Sequence, residues 1–343
     1  MARGKFIGRM MFGVLLALTL AKAPNAQEFY AGKTIQIIVG LPPGGGFDLY
    51  ARLLARHMGK YIPGNPSFVV MNMPGAGSMN AVNHLANLVK PDGLTMATFI
   101  GTVVWNQVFN QPGVQFDARK LRWLGIPAAR TGACVLAKST GIANLEQWKA
   151  AKNPVELGAA GVGTQSDYTA RIVRDVLGMP IHVVAAYAGS SPIRLAIENG
   201  EVGGVCLQWE AILETWRNAI EKGDVYPVLQ FLRKPHPDLP NVPLALSLAK
   251  TAEDRELLTV GVENSNTINA VYALPPQTPN DRVAMLRKAF VSALRDPAAR
   301  AEAETTHLDL SPVDGEETEK LVGQFFTLKP AVHQRLQAIL FGK

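Results

Sequence analysis

The sequence predicts an α/β protein of two similar lobes with a cleft between them, each lobe a mostly parallel sheet flanked by helices. Short β-rich runs alternate with helical patterns, which is typical of such sheets. A strand, a glycine-rich turn and a helix recur in both halves of the chain. A chain of 343 residues is too long to form only one small core. With 48% hydrophobic and 18% charged residues, it can fill a large core.

The first lobe is predicted to comprise residues 27–125 and 240–343. Its β-rich runs predict four strands, at residues 34–39, 67–71, 94–100 and 270–274. Apolar residues at helical spacing predict four helices, at residues 48–61, 78–89, 281–294 and 316–339.

The second lobe is predicted over residues 126–239. Its expected strands are 132–137, 155–159, 181–186, 202–207 and 226–232. Its expected helices are 144–151, 168–177 and 193–199. A proline-rich stretch at 234–240 is where we expect the chain to cross back to the first lobe.

Residues 1–26 have the pattern of a cleaved export signal. Arg3, Lys5 and Arg9 precede an apolar run of eleven residues, and small residues follow it. Cleavage after Ala23 and cleavage after Ala26 both fit. The run is shorter than the ~20 residues that span a bilayer, and no cysteine follows it for lipid attachment. We therefore expect a soluble, periplasmic mature protein.

The net charge of +6 belongs mostly to this signal. Four basic residues and no acidic one precede residue 27, which leaves 30 basic and 28 acidic residues in the remainder. The mature chain is therefore near neutral. It has no long basic run, so nucleic acid is not expected as a partner.

Three glycine-rich turns each connect a predicted strand to a predicted helix. Glycine lets the backbone approach a ligand closely, and a helix start offers free N–H groups that attract anions. Ordinary strand–helix turns with capping side chains are the alternative. The turns span residues 43–48, 161–167 and 187–191.

Signatures of common enzymes are missing from the sequence. It contains no G-x-S-x-G motif and no intact phosphate-binding loop, and its six histidines are scattered without a Glu partner at metal-binding spacing. We therefore expect no metal, no cofactor and no catalysis.

Cys134 and Cys206 each lie in a predicted strand of the second lobe. We expect two small buried thiols, because an unpaired cysteine packs as a small hydrophobic residue. A disulfide between them is the alternative, which an oxidising compartment allows.

Six short motifs carry a family resemblance between residues 29 and 339. They are PPGGGFD at 42–48, NMPGAGS at 72–78, PDGLT at 91–95, GVGTQS at 161–166, YAGSSP at 187–192 and YALPPQTP at 272–279. In this order and spacing the sequence resembles the periplasmic solute receptors of tripartite tricarboxylate transporters, the Bug family.

The resemblance implies a two-lobed periplasmic binding protein of the type II-like clamshell kind, a monomer that closes on a small organic acid. Backbone N–H groups and hydroxyls from both lobes would hold the carboxylate. The residues that the motifs place at the ligand are Gly45, Gly46, Phe47, Asp48, Ser78, Thr102, Gly163, Thr164, Gln165, Ser166, Asp167, Tyr187, Gly189 and Ser190.

Four departures from the family pattern bear on the ligand. Phe47 stands where Ser or Thr is usual, Asp167 stands where His is common, and Ala188 replaces a frequent Lys. Gly203 and Leu207 stand where Asp is frequent. These changes disfavour a citrate-like polyanion and favour a less charged or aromatic acid. Asp167 contacts the ligand or only caps its helix; the sequence leaves both open.

The predicted function is a binding protein that presents its ligand to the membrane subunits of a tripartite transporter. One alternative is a periplasmic sensor that reports ligand binding to a signalling partner. A second is a secreted enzyme acting on a small acid, against which the missing nucleophile–base motifs count.

Overall fold

The computed structural model describes residues 1, 29–187, 189–306 and 308–342, and it leaves out the side chains of residues 214 and 215. The predicted export signal therefore lies outside the described residues. Within the described ranges, no helix is both long and apolar enough to cross a bilayer.

A sheet of six strands forms the core of the first lobe, in the order β11-β4-β10-β3-β1-β2. Its strands are β1 Thr34–Val39, β2 Ser67–Asn72, β3 Thr95–Ile100, β4 Arg122–Ile126, β10 Ala270–Leu274 and β11 Val313–Asp314. β1 pairs in parallel with β2 and β3, whereas β10 and β11 run antiparallel to their neighbours.

A sheet of five strands forms the core of the second lobe, in the order β7-β6-β8-β5-β9. Its strands are β5 Gly132–Ala137, β6 Val155–Gly158, β7 Ile181–Val184, β8 Gly204–Gln208 and β9 Val225–Phe231. β6 pairs in parallel with β7 and β8, whereas β5 runs antiparallel to β8 and β9.

Helices cover both sheets. Those that accompany the first sheet are α1 Gly46–His57, α2 Met79–Asn87, α3 Val103–Val108, α9 Asn280–Arg295, α10 Pro297–Thr305 and α11 Gly315–Phe325. Those that accompany the second are α4 Leu145–Lys149, α5 Gln165–Leu177, α6 Ser190–Glu198 and α7 Trp209–Glu221. Two more helices, α8 Ala252–Leu258 and α12 Pro330–Phe341, pack against α5 of the second lobe. A π-helical stretch, Thr259–Asn264, and a last α-helical turn, Ser265–Thr267, extend α8.

The two-lobed α/β architecture with flanking helices is confirmed, but the sheets are mixed. Parallel pairing occurs where a helix carries the chain back between strands, as in β1–α1–β2 and β6–α5–β7. Where the chain changes sheet, from β4 into β5 or back into β10, the strand enters antiparallel. Alternating strands and helices cannot show these changes of direction.

The predicted terminal helix 316–339 is wrong as a single helix. α11 ends at Phe325, and α12 begins at Pro330 after a break. Proline fixes its own φ and lacks an N–H, so it fits the first position of a new helix. Four helices, α3, α7, α8 and α10, were not predicted from the sequence.

The expectation of two free thiols is wrong. Cys134 and Cys206 lie opposite each other on the antiparallel strands β5 and β8, and they form a disulfide. Their Cα atoms are 4.0 Å apart. Directly opposed residues of adjacent antiparallel strands come this close, and this neighbourhood could not be read from two cysteines 72 positions apart.

The two lobes share a local topology that positions the candidate site. In the first, the order β2-β1-β3 places the first crossover strand in the middle, and in the second the order β7-β6-β8 does the same. The loops after β1 and β6 therefore occupy equivalent places at the carboxyl ends of their sheets, where α/β proteins bind ligands.

Candidate ligand-binding cleft

A cavity of about 330 Å³ lies between the lobes. It is bordered by the carboxyl ends of β3 and β8 and by the loop after β6. Its walls come from the first lobe on one side and the second on the other. They are formed by Ala76, Gly77, Ile100, Thr102, Val103, Asn106, Ala160, Val162, Gly163, Thr164, Gln165, Ser166, Leu207, Gln208 and Asn269.

The second-lobe loop, residues 159–164, is held in shape by its own hydroxyl groups. Thr164 donates from Oγ1 to the carbonyl of Gly161 at 2.8 Å. Ser166 accepts at Oγ from the N–H of Ala160 at 3.0 Å. These bonds fold the loop against the first turn of α5, so its shape is set before any ligand arrives.

Asp167 is fully buried and is not among the residues that line the cavity. It accepts from the N–H of Gly163 at 2.9 Å and from Nε of Arg171 at 2.7 Å. Gly163 has a φ of +81°, in the left-handed region that favours glycine. The carboxylate therefore fixes the loop, and no side-chain oxygen caps α5, so Asp167 does not cap its helix. Contact of Asp167 with the ligand stays a prediction.

A chain of three amide side chains runs from the cavity into the protein. Gln208 donates to Oε1 of Gln165 at 3.2 Å, and Gln165 donates to Oδ1 of the buried Asn266 at 2.7 Å. Asn266 in turn donates to the carbonyl of Val262 at 2.9 Å, inside the π-helical stretch. Because a carbonyl can only accept, this last bond orients every amide in the chain.

The first-lobe loop, residues 40–45, follows the same plan but lies outside the cavity lining. The buried Asp48 accepts from the N–H of Gly44 at 2.9 Å, from Arg52 Nε at 2.9 Å and from Asn72 at 3.1 Å. Burial alone would raise the pKa of Asp48, but the bonds from Arg52, Gly44 and Asn72 outweigh it and lower that pKa. Like Asp167, Asp48 is engaged inside its own lobe.

Three neighbours of Asp48 were also predicted at the ligand. Gly45 and Gly46 are exposed, and a Cβ built on either would meet no atom within 4 Å. Open space therefore lies in front of their backbone. The half-buried ring of Phe47 packs against the hydrophobic core of the first lobe instead of the cavity.

Ser78 and Thr102 lie at the first-lobe side of the cleft. Ser78 is buried, donates to the carbonyl of Gly40 at 3.1 Å and accepts from the N–H of Ile100 at 3.3 Å. It joins the ends of β1 and β3. Thr102 lines the cavity at the start of α3.

Tyr187, Gly189 and Ser190 lie outside the cavity lining as the described residues define it. The Tyr187 ring packs against the hydrophobic cluster of the second lobe, and its N–H donates to Ala159 at 3.2 Å. Gly189 precedes α6, which begins at Ser190.

Several lining residues were missed by the sequence analysis. Gln208 ends a strand, whereas Asn106 and Asn269 lie in or beside helices that carry no glycine-rich turn. Polar residues at strand ends were a usable signal for Gln208. Asn106 and Asn269 reach the cavity only because segments distant in the sequence pack together, which no local pattern indicates.

The two helix starts that border the cavity lack a capping side chain, because no side-chain oxygen caps α3 or α5. Among the other described helices, α4, α8, α10 and α11 are capped by Asn144, Thr251, Asp296 and Asp314, and the remaining six have no side-chain cap. The described cavity lining also contains no charged side chain. What the described lining offers to a ligand is therefore neutral polar groups, apolar side chains and the N–H groups of the helix start, where the helix dipole is positive.

Comparisons with known proteins agree with this architecture. The tripartite tricarboxylate transporter family receptor model matches residues 50–335. The protein BugT of Bordetella pertussis is 26% identical over 214 residues, 61% of this chain and 64% of its own.

Two solved structures share the fold. A TctC solute binding protein from Polaromonas, without ligand, superimposes with a TM-score of 0.68 at 17% identity, over 90% of this chain and 98% of its own. MatC from Rhodopseudomonas palustris, with bound malate, superimposes with a TM-score of 0.62 at 20% identity, over 90% and 99%. The family match spans most of the chain, and this protein therefore belongs to the tripartite tricarboxylate transporter receptor family, as a solute-binding protein of the TctC/Bug type.

Proposed function

We propose that this protein is an exported receptor that captures a small carboxylate between its lobes and presents it to the membrane subunits of a tripartite transporter. One observation carries the proposal: the cleft is lined by neutral polar groups beside uncapped helix starts. Such a site attracts an anion by fixed N–H dipoles. The family membership and the malate bound to MatC support the same ligand class.

The absence of charge from the described lining favours a ligand of low charge. A polyanion taken out of water needs compensating cations or several charge-assisted bonds. The lining offers amides, hydroxyls, backbone groups and the apolar side chains of Ile100, Val162 and Leu207. An acid with one or two carboxylates and an uncharged body fits this set.

Binding without catalysis and residence in the periplasm are further parts of the proposal. The lining hydroxyls of Thr164 and Ser166 bond to the loop backbone, and the described lining contains no histidine. The export pattern of residues 1–26 supports the location. The lobe boundaries at residues 125–126 and 239–240 stay a prediction.

Closure of the lobes on the ligand is the expected response. The chain changes sheet between β4 and β5, and Thr131 lies in this crossing segment. Its N–H donates at 3.0 Å to the carboxylate of Glu210 in α7, whose pKa is raised above its ordinary value by burial. Contacts that a ligand makes only with the closed form would shift the population toward it.

A thermal-shift screen of organic acids on the purified mature protein tests the proposal. We expect the melting temperature to rise with at least one mono- or dicarboxylate, because ligand binding to the folded state stabilises it. The matching alcohols and amines serve as controls and should leave the temperature unchanged. No response to any acid, or an equal response to the controls, would contradict the proposal.

A further inference from the structure

A second, larger cavity adjoins the cleft. Its volume is about 760 Å³, and it lies between α2 and the segment that follows α3. Ala76 and Asn106 line both cavities. A molecule in the cleft can therefore extend past these two residues without leaving the surface of the first lobe.

Carboxamide side chains dominate the polar lining of this cavity. We call it the amide groove, after Asn80, Asn83, Asn87, Asn106, Gln111 and Gln115. Among its described lining residues there is no Lys, Arg, Asp or Glu. Asn80, Asn83 and Asn87 recur every three to four residues, so they share one face of α2.

Two of these amides hold the wall of the groove in place. Asn83 donates to the carbonyl of Gly113 and accepts from the N–H of Gln115, both at 2.9 Å. Asn87 donates to the carbonyl of Gln115 at 2.7 Å. The segment after α3 is thereby fixed against α2, and the groove exists without a ligand.

Two other amides are available to a ligand. The side chain of Asn80 is exposed and that of Asn106 is half-buried, and neither bonds to another described residue. Each offers one carbonyl oxygen and two N–H donors. Asn106 lines both cavities, so it lies where the two meet.

We propose that the amide groove binds the uncharged tail of the ligand whose carboxylate occupies the cleft, and that this tail carries amide groups, as in an N-acyl amino acid or a short N-acetylated peptide. The inference rests on the proposed function and adds the class of ligand. An amide pairs with Asn80 and Asn106 as donor and acceptor at once. A free ammonium would find no carboxylate in the described lining, so an acylated, uncharged amine suits the groove better than a charged one.

Isothermal titration with N-acetylglycine, N-acetyl-diglycine and N-acetyl-triglycine measures the contribution of the tail. We expect affinity to rise about tenfold from the shortest to the longest, the scale of one or two net hydrogen bonds. Butyrate, heptanoate and decanoate provide tails of similar lengths without amides. Equal gains in both series would overturn the amide assignment, and no gain in the first series would overturn the groove as a subsite.

Two substitutions test whether the gain in affinity comes from the amides of the groove. Asn80→Leu and Asn106→Leu should each reduce the ratio of triglycine to monoglycine affinity toward one. Asn153→Leu is the matched control, because Asn153 is an exposed amide in a separate surface cavity of the second lobe. An unchanged ratio in both groove variants, or the same fall in the control, would contradict the proposal.

The two levels of the proposal fail differently. If no carboxylate of any kind binds the native protein, the proposed function fails and this inference fails with it. If other small acids bind but the acetylated series shows no dependence on tail length, only the amide groove is refuted.

Discussion

The loops that follow β1 and β6 share one hydrogen-bonding pattern but expose different groups. Each has six residues between strand and helix, and each has a glycine in fifth place, Gly44 at φ +86° and Gly163 at φ +81°. In each, an aspartate four residues later accepts the N–H of that glycine. An arginine a further four residues on pairs with the aspartate.

The residues between the glycine and the aspartate make the difference. In the second lobe, Thr164, Gln165 and Ser166 form side-chain hydrogen bonds and line the cleft cavity. In the first lobe, Gly45 and Gly46 leave exposed backbone with open space in front of it. The shared bonds fix the fold of each loop, whereas the intervening residues decide what each loop presents to a ligand.

Of the substitutions that distinguish the two loops, loss of the buried aspartate should lower the free energy of unfolding the most. Asp167→Ala leaves the N–H of Gly163 and the partly buried Arg171 unpaired, so we expect the free energy of unfolding to fall by about 3–5 kcal/mol. Asp48→Ala should cost less, because Arg52 is more exposed, at 43% against 23% for Arg171. Urea unfolding measures both.

Asp175→Ala is a control on the same helix as Asp167, since the Asp175 side chain pairs with Arg174 at the surface. If Asp167→Ala kept full stability and lost only ligand affinity, Asp167 would be a ligand contact and the two loops would not be equivalent.

Removal of the disulfide should have the next largest effect, and it concerns one lobe only. Cys134 and Cys206 are the only cysteines of the chain, so the first lobe has no counterpart. Cys134→Ala/Cys206→Ala is expected to lower the free energy of unfolding by roughly 2–4 kcal/mol, because the cross-link restricts the unfolded chain. Chemical denaturation of both proteins under non-reducing conditions checks this value.

Thiol alkylation of the unsubstituted protein after unfolding provides the matching control. Without reductant we expect no modified cysteine, and with reductant we expect two. Full alkylation without reductant would show that the disulfide is not formed.

Glycine substitutions separate loop shape from ligand access. Gly163→Ala should cost about 1–2 kcal/mol of stability, because an alanine at this positive φ is strained. Gly45→Val should leave stability nearly unchanged, since the φ of Gly45 is −86° and a Cβ there meets no atom within 4 Å. Because this loop lies outside the cavity lining, the substitution should weaken acid binding only through closure of the lobes, which would bring the loop to the ligand. Thermal melts and titrations with the best acid of the screen give both values; retained affinity in Gly45→Val would remove the first-lobe loop from the site.

The smallest effect is a pH dependence in the first lobe. The pKa of Asp48 is lower in the folded protein than its ordinary value of 3.8. The carboxylate therefore contributes stability above that value, and the contribution is lost as the pH falls through the folded pKa. Arg52→Gln removes one cause of the shift, so it should cost up to about 1 kcal/mol at pH 6 and less at pH 3.

Denaturation of the native protein and of Arg52→Gln at several pH values tests this prediction. Arg56→Gln, on the same helix but paired with Glu302, is the matched control for the loss of a surface guanidinium. A stability difference for Arg52→Gln that does not shrink at low pH would show that Arg52 acts through packing.

Sequence patterns predicted most strands because alternation and β-branched runs are local properties. β1, β5 and β10 begin and end where the patterns placed them. Properties that depend on neighbours across the fold were not accessible, as the disulfide and the antiparallel strands show. The amide chain from Gln208 to Asn266 likewise joins residues from three separate segments.

The candidate site shows the same division. Glycine-rich turns indicated both loops, because a backbone position with a left-handed φ favours glycine and is therefore visible in the sequence. The partner of each aspartate, the inward turn of the Phe47 ring and the place of Asn106 between two cavities depend on packing, which no local motif records.

Native mass spectrometry of the mature protein, purified without added ligand, tests the central claim most directly. We predict an additional mass that is released on unfolding and fragments as an organic acid. A retained cation, lipid or uncharged compound in its place would contradict the account.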